Sequence, residues 1–163
     1  MNKELNILSC AVNDALRKRS LTLSVAESCT GGGIAAAVTS VPGSSEVFKG
    51  GVVAYANEVK RDLLSVSEEN LQLYGAVSEA VVYQMAVGVA SLMRTNCAVV
   101  TSGIAGPGGG TVEKPVGTVW TAFFINGTVT TCKLSLEDCG REKNIEAAIL
   151  ETLKNFLRLL CDN

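Results

Sequence analysis

Along the first part of the chain, apolar residues recur either at alternate positions or at steps of three and four. These two spacings predict strands and helices in alternation. A strand is predicted over the alternating, β-branched run LTLSVAES, which leads into a glycine turn and a helix over IAAAVTS. A second strand is predicted over KGGVVAYAN. Steps of three and four before these elements predict a first helix, which ends in the basic run RKRS. Its apolar positions are Leu5, Leu8, Val12 and Leu16.

The rest of the chain continues this alternation. Two short helical segments are predicted over EVKRDLL and SVSEENLQLYG, and a long helix from Glu79 to Met93 has Ser78 as its expected N-cap. A buried strand is predicted over CAVVTSG. The Asn-Gly pair of NGT is expected to join the strands TVWTAFFI and TVTTCKLSL in an antiparallel hairpin. An amphipathic helix is predicted over IEAAILETLKNFLRLL, from Ile145 to Leu160.

Strands that alternate with helices and end in a hairpin indicate the α/β class. We expect a three-layer α/β/α sandwich with a mixed, mostly parallel sheet and a C-terminal β-hairpin plus helix. A length of 163 residues suits one domain, so residues 1–163 are expected to form it alone. The glycine-rich run GIAGPGGGTVEKPVG follows a predicted strand, and a loop of this length in a compact domain is usually functional.

Composition narrows the classes of function. A formal net charge of −2 lacks the basic excess that nucleic-acid binding requires. The longest apolar runs are well short of the ~20 residues that span a bilayer. The N-terminus shows no secretion signal and the six cysteines form no C-x-x-C pair, so reduced thiols in a cytoplasmic protein are expected. Because the chain has no histidine, a metal site would need four scattered thiolates, and no metal is expected.

The stretch AESCTGGG places Ser28, Cys29 and Thr30 at a predicted strand-to-helix turn. Backbone N–H groups at such a helix N-terminus can bind a phosphate, a carboxylate or the oxyanion of an acyl-transfer intermediate. Alternatively, Ser28, Thr30 and the glycines only cap the helix and let it pack closely. Cys29 is a second candidate nucleophile. It would point elsewhere than Ser28, because successive residues in a turn point in different directions.

Lys60 is the candidate base for Ser28, since a chain without histidine cannot form a Ser-His-Asp triad. A lysine acts as a base only if its pKa falls from about 10.4 towards neutrality. In YANEVK, Tyr55 and Lys60 could project from a strand end and the first turn after it. The alternatives are an exposed helical lysine beside Arg61 and Asp62, and a tyrosine that belongs to the core.

Four motifs occur together in the order AESCTGG, GGVVAYANEVK, GAVSEAVV and SGIAGPGGGTVEKPVGTVW. This combination resembles the CinA C-terminal domain family, whose active members are nicotinamide-nucleotide amidohydrolases. The match runs from about Leu5 to Phe124. Larger family members also contain an N-terminal nucleotide-hydrolysing domain without a counterpart here, so the chain resembles the stand-alone form.

The resemblance implies hydrolysis of the carboxamide of nicotinamide mononucleotide to nicotinic acid mononucleotide and ammonia, in bacterial pyridine-nucleotide recycling. No metal or cofactor is implied, the expected partner is this small-molecule substrate, and a homo-oligomer is left open. The family's serine, lysine and tyrosine fall on Ser28, Lys60 and Tyr55. Lys60 would take the proton of Ser28, and Tyr55 would orient or relay it. A serine-lysine amidase for another small amide is an open alternative.

Two glycine-rich segments are expected to hold the substrate. Backbone N–H groups from Thr30 to Gly32 would stabilise the oxyanion, and TSGIAGPGGG or a helix N-terminus would bind the ribose and phosphate. The predicted substrate-binding residues are Thr30, Gly31, Gly32, Asn57, Ser102, Gly103 and Gly106.

The chain departs from the family pattern before its last helix. Family members commonly have Gly-Asp-Arg and a further arginine there, whereas this chain reads EDCGREKNIEAA. Alignment places Gly140, Arg141 and Glu142 on the first motif and Glu146 on the further arginine. If both glutamates face the ligand, they would repel its phosphate and favour a weakened or inactive paralogue with a binding or regulatory role. Otherwise they lie on the solvated face of the helix.

Overall fold

The computed structural model describes residues 2–163, and its centre is one five-stranded sheet. The strands are β1 (Leu23–Glu27), β2 (Phe48–Val53), β3 (Cys97–Gly103), β4 (Thr118–Ile125) and β5 (Thr128–Ser135). Their spatial order is β2-β1-β3-β4-β5. β1 pairs in parallel with β2 and β3, whereas β4 is antiparallel to β3 and β5. All strands except β4 therefore run in one direction.

Helices cover both faces of this sheet. They are α1 (Lys3–Lys18), α2 (Gly33–Thr39), α3 (Asn57–Leu64), α4 (Glu68–Tyr74), α5 (Glu79–Met93) and α6 (Arg141–Asp162), with a 3₁₀ turn at Ser44–Glu46. One core lies beneath α1, α2 and α6, and a second lies beneath α3, α4 and α5. No helix within residues 2–163 has the length and apolar character needed to span a membrane. The expected three-layer α/β/α sandwich is confirmed.

The pleat of β1 sends neighbouring side chains into different layers, because successive strand residues point to opposite faces. Val25 belongs to the core beneath α2, whereas Ala26 belongs to the core beneath α3. The same alternation takes Glu27 to the α2 side and Ser28 to the α3 side, as their side-chain hydrogen bonds show.

The ends of β1 and β2 form a crevice where ligands commonly bind in α/β proteins. α2 follows β1 and α3 follows β2, and these helices leave on opposite faces of the sheet. Strand order changes direction at this point, since β2 and β3 lie on either side of β1. Such a switch point is the usual ligand position in open α/β sheets.

The start of α6 differs from the sequence-based prediction. The helix begins at Arg141 and not at Ile145. Gly140 has the positive φ of 94°, and its carbonyl accepts a hydrogen bond of 2.8 Å from the N–H of Asn144. The first helical turn therefore includes Arg141 and Glu142, which the apolar pattern could not reveal because both residues are polar.

Candidate active site

Ser28 lies directly after β1, in the turn that leads to α2. Its N–H donates to the carbonyl of Thr101 at 3.0 Å, and its own carbonyl accepts from the N–H of Gly31 at 3.0 Å. Gly31 and Gly32 have φ values of 58° and 99°, a left-handed conformation that glycine adopts without steric cost. Backbone contacts thus fix the half-buried Ser28 while its side chain faces α3.

Lys60 extends from α3 to Ser28 and is only 1% exposed. Its Nζ lies 3.3 Å from Ser28 Oγ, 2.7 Å from the carbonyl oxygen of Ala54 and 3.3 Å from that of Tyr55. A neutral amine has two N–H donors and one lone pair, whereas an ammonium group has no lone pair. In the neutral form, the two carbonyls can accept from both donors, and the lone pair can accept from the hydroxyl of Ser28. The alternative of an exposed lysine is wrong.

Burial also lowers the pKa of Lys60 below its ordinary value, because desolvation disfavours the ammonium form. The nearby Cys29 has a smaller, opposite effect. Within residues 2–163, no ion pair joins Lys60 to a carboxylate that would stabilise its charge. The amine thus has both the position and the environment of a general base.

Tyr55 connects the site to α6. Its side chain is 59% exposed, and its hydroxyl accepts a hydrogen bond of 3.0 Å from Arg141 Nη2. Arg141 Nη1 donates to the carbonyl oxygen of Gly106 at 2.8 Å. The hydrogen bond between Tyr55 and Lys60 goes to the backbone carbonyl of Tyr55. The core alternative for Tyr55 is therefore wrong, and its contacts favour an orienting role over a proton relay.

A pocket of about 210 Å³ opens beside Ser28. A larger groove of about 440 Å³ runs between α3 and α5, but its lining is mostly apolar and includes none of the predicted site residues. The smaller pocket is therefore the candidate active site. Its lining residues are Ser28, Cys29, Tyr55, Gly103, Ala105 and Arg141.

The sequence analysis missed Glu27, the last residue of β1. Its fully buried carboxylate contacts the start of α2. A carboxylate at this end of a helix is stabilised by the helix dipole. The available signal was an acidic residue directly before a glycine turn. Its Oε2 accepts from Thr30 Oγ1 at 2.6 Å, from the N–H of Gly32 at 3.2 Å and from that of Ile34 at 3.0 Å, and its Oε1 accepts from the N–H of Ala35 at 2.8 Å.

This network bears on the oxyanion site predicted from Thr30 to Gly32. The N–H of Gly32 donates to Glu27, and that of Gly31 donates within the turn. The buried hydroxyl of Thr30 also donates to Glu27, so it cannot donate to the substrate. In the part of the chain that the structure describes, the N–H groups of Cys29 and Thr30 donate to no other residue, and that of Cys29 contacts its own thiol. Among the N–H groups of this turn, these two are therefore the candidates for binding an oxyanion.

Cys29 lines the pocket as a poor nucleophile. It is 7% exposed, and burial raises the pKa of its thiol to about 11. The thiolate is the nucleophilic form of cysteine, and this thiol stays protonated at neutral pH. These features favour Ser28 as the nucleophile.

The other predicted binding residues divide into two groups. Gly103 lines the pocket, and Gly106 adjoins it through its carbonyl contact with Arg141. The structure does not bring Ser102 or Asn57 to the pocket. The hydroxyl of Ser102 donates to the carbonyl of Ala76 at 2.9 Å, and Asn57 is exposed at the start of α3.

The start of α6 contributes Arg141 to the pocket instead of either glutamate. Glu142 and Glu146 are exposed and do not line it. The alternative of a solvated helix face therefore agrees with the structure. Asn144, which is 2% exposed, donates to the carbonyl of Ala105 at 3.0 Å and anchors this helix end to the glycine-rich loop.

Comparisons with known proteins match nearly the whole chain. The CinA C-terminal domain model matches residues 6–160. Nicotinamide-nucleotide amidohydrolase PncC of Enterobacter agglomerans is 46% identical over 160 residues, which are 96% of this chain and 98% of that protein. The protein of that name from Escherichia coli K12 is 52% identical over 122 residues, which are 75% of this chain and 74% of that protein.

Other relatives are longer. The chain spans 37% of the length of two CinA-like proteins, to which it is 45% and 56% identical. Among solved structures, the competence/damage inducible protein CihA from Agrobacterium tumefaciens superposes with a TM-score of 0.94. That protein is 41% identical, and the superposition covers 98% of this chain and 97% of the other.

Proposed function

The chain belongs to the CinA C-terminal domain family, and we propose that it hydrolyses the carboxamide of nicotinamide mononucleotide to nicotinic acid mononucleotide and ammonia. The names of two similar amidohydrolases support this reaction. The observation that carries it is the buried amine of Lys60, 3.3 Å from Ser28 Oγ. Six free cysteines fit a cytoplasmic enzyme, because thiols stay reduced in that compartment.

Ser28 is the nucleophile of the proposed reaction. Its Oγ attacks the amide carbon while Lys60 Nζ accepts the hydroxyl proton. The carbonyl π electrons move to the oxygen, and the N–H groups of Cys29 and Thr30 stabilise the resulting oxyanion. Lys60 then donates its proton to the amide nitrogen, the C–N bond breaks, and ammonia leaves an acyl-enzyme.

Water completes the proposed reaction. Lys60, neutral again, removes a proton from water as the water oxygen adds to the ester carbon of the acyl-enzyme. When the tetrahedral intermediate collapses, the bond to Ser28 breaks and Lys60 returns the proton to Oγ. The carboxylic acid product ionises in water. Each residue is thereby restored for the next cycle.

The size of the pocket indicates which part of the substrate enters it. Its volume of about 210 Å³ lies below the roughly 300–1,000 Å³ of pockets for drug-sized ligands. The nicotinamide ring would therefore enter, and the phosphate would lie at the rim near Arg141. Arg141 lies in the first turn of α6, where the positive end of the helix dipole disfavours a cation. A ligand anion bound there would explain why an arginine occupies this position.

Ammonia release from purified protein tests the proposed function. Nicotinamide mononucleotide, nicotinamide riboside and nicotinamide should be compared as substrates at equal concentrations. We expect efficient release from the mononucleotide only, because it alone has the phosphate for Arg141. Release from none of them would favour a paralogue without catalysis, and preference for another amide would favour the wider amidase alternative.

Replacing Arg141 is expected to weaken substrate binding. Arg141→Gln should raise KM for nicotinamide mononucleotide by roughly 10- to 100-fold, the equivalent of a hydrogen bond to a charged group. Added salt should raise the KM of the unmodified protein, because salt screens a partly exposed charge pair. The difference in KM between this protein and Arg141→Gln should therefore become smaller. Steady-state kinetics at low and moderate salt measures both effects.

Arg158→Gln is the matched control for Arg141, because it removes an exposed arginine from the same helix. We expect its KM to equal that of the unmodified protein. An unchanged KM in Arg141→Gln would place the phosphate elsewhere. A large drop in KM in Glu142→Arg would instead show that this glutamate faces the ligand.

Activity is expected to increase with pH. Lys60 accepts a proton only when neutral, so kcat/KM should rise as pH passes through its pKa in the folded protein. Desolvation lowers that pKa, and the midpoint should lie below the ordinary lysine value of about 10.4. The residual activity of Lys60→Met should lack this rise. A midpoint at or above the ordinary value would contradict the neutral-lysine assignment.

A further inference from the structure

Glu27 supplies a fully buried carboxylate directly before the nucleophile, and the reaction above does not use it. We propose that Glu27 is a positioning residue that sets the oxyanion-binding N–H groups of Cys29 and Thr30. It acts through the turn and does not touch the substrate. This inference rests on the proposed function, since it concerns the oxyanion of that reaction.

Glu27 occupies the other donors at the start of α2. The first N–H groups of a helix lack partners inside the helix and attract anions. Here those of Gly32, Ile34 and Ala35 donate to Glu27. The N–H of Gly33 donates to the carbonyl of Thr30 at 2.9 Å. Among residues 2–163, the two N–H groups of this turn that donate to no other residue are therefore those of Cys29 and Thr30, which can serve a substrate oxygen.

Glu27 also fixes the orientation of Thr30. The Thr30 hydroxyl donates to Oε2 of this side chain at 2.6 Å. The hydroxyls of Thr30 and Thr101 lie 2.7 Å apart, and Thr101 must be the donor in that contact. Thr30 is thus held through its side chain at the middle of the turn. The direction of its backbone N–H depends on this contact.

The charge of Glu27 faces away from the base. The strand pleat directs its side chain towards α2, whereas Lys60 approaches Ser28 from α3. The dipole of α2 stabilises the carboxylate at this position. Within the described part of the chain, Glu27 and Lys60 form no ion pair. Replacing Glu27 with a neutral residue should therefore affect the oxyanion site. It should leave the pH dependence that comes from Lys60 unchanged.

Glu27→Gln tests this role, because it keeps the size of the side chain and replaces one acceptor oxygen with a donor. With nicotinamide mononucleotide we expect kcat to fall roughly 10- to 100-fold, as for a small displacement of a catalytic group. KM and the pH midpoint of kcat/KM should stay close to those of the unmodified protein. The control is Glu46→Gln, which removes an exposed carboxylate 3.1 Å from Arg17. This control should change neither kcat nor KM.

A purely structural role would give a different result. Glu27→Gln would then lower the melting temperature, while kcat per folded molecule stayed unchanged, and this outcome would overturn the inference. If the variant does not fold, Thr30→Val replaces it, since this change removes one donor to Glu27 and keeps the three N–H contacts. A several-fold fall in kcat with unchanged KM is expected there, and an unchanged kcat contradicts the role. An unmodified protein that releases no ammonia would overturn the proposed function and this inference together.

Discussion

Ser28→Ala is expected to lower kcat for ammonia release by at least about 10³-fold, as removal of a catalytic serine does elsewhere. The hydroxyl is the attacking group, and alanine leaves the backbone contacts of the turn intact. The N–H of residue 28 still donates to Thr101, and its carbonyl still accepts from Gly31. Binding of nicotinamide mononucleotide, measured by calorimetry, should therefore persist while its turnover is lost.

Cys29→Ala is the matched control, because it removes the neighbouring side chain of the same pocket. Most activity should remain, since burial raises the pKa of this thiol to about 11 and keeps it protonated. Some loss of stability is expected, because the side chain is only 7% exposed and its removal leaves a small void. Full loss of activity in Cys29→Ala, with the fold intact, would reverse the assignment of the nucleophile.

Lys60→Met and Lys60→Arg are both expected to lower kcat by roughly 10²- to 10⁴-fold, the usual contribution of a general base. Methionine fills the buried channel without an amine. Arginine keeps a positive charge, but a guanidinium group does not lose its proton in a protein and cannot accept one from Ser28. Kinetics of both variants, with thermal unfolding to compare their stability, measures the effect.

The comparison of these two variants separates a base from a fixed positive charge. If Lys60→Arg retained nearly full activity, Lys60 would act by electrostatic attraction, and the Ser28–Lys60 pair would have to be abandoned as a catalytic dyad. Lys143→Arg serves as the control, since it makes the same chemical change at an exposed position of α6. We expect that variant to have unchanged kcat and KM.

Local patterns were sufficient for most secondary structure. β3 and β4 have the predicted bounds, and Ser78 caps α5 by accepting from the N–H of Val81 at 3.4 Å. Apolar periodicity and capping are properties of neighbouring residues, so the sequence displays them directly. The start of α6 escaped prediction because its first turn is polar and depends on the conformation of Gly140.

The site was predictable only where motifs mark it. Ser28 and Lys60 lie in two family motifs, and the structure brings them together. Arg141 escaped because its contact with Tyr55 joins residues 86 positions apart, and no spacing rule reports such a contact. Glu27 escaped for another reason: its partners are close in sequence, but a polar residue at a strand end is ordinarily solvated, and burial cannot be inferred from its type.

The burial of Lys60 has a consequence for chemical selectivity. A neutral amine at a protein surface reacts readily with aldehydes and acylating agents, which are common among metabolites. Lys60 is only 1% exposed and stands behind Ser28, so such electrophiles meet the half-buried hydroxyl first. The hydroxyl is a weak nucleophile until a carbonyl group docks against the oxyanion donors. The fold therefore keeps this amine from forming dead-end Schiff bases and amides, while the same amine remains in contact with the group that it activates.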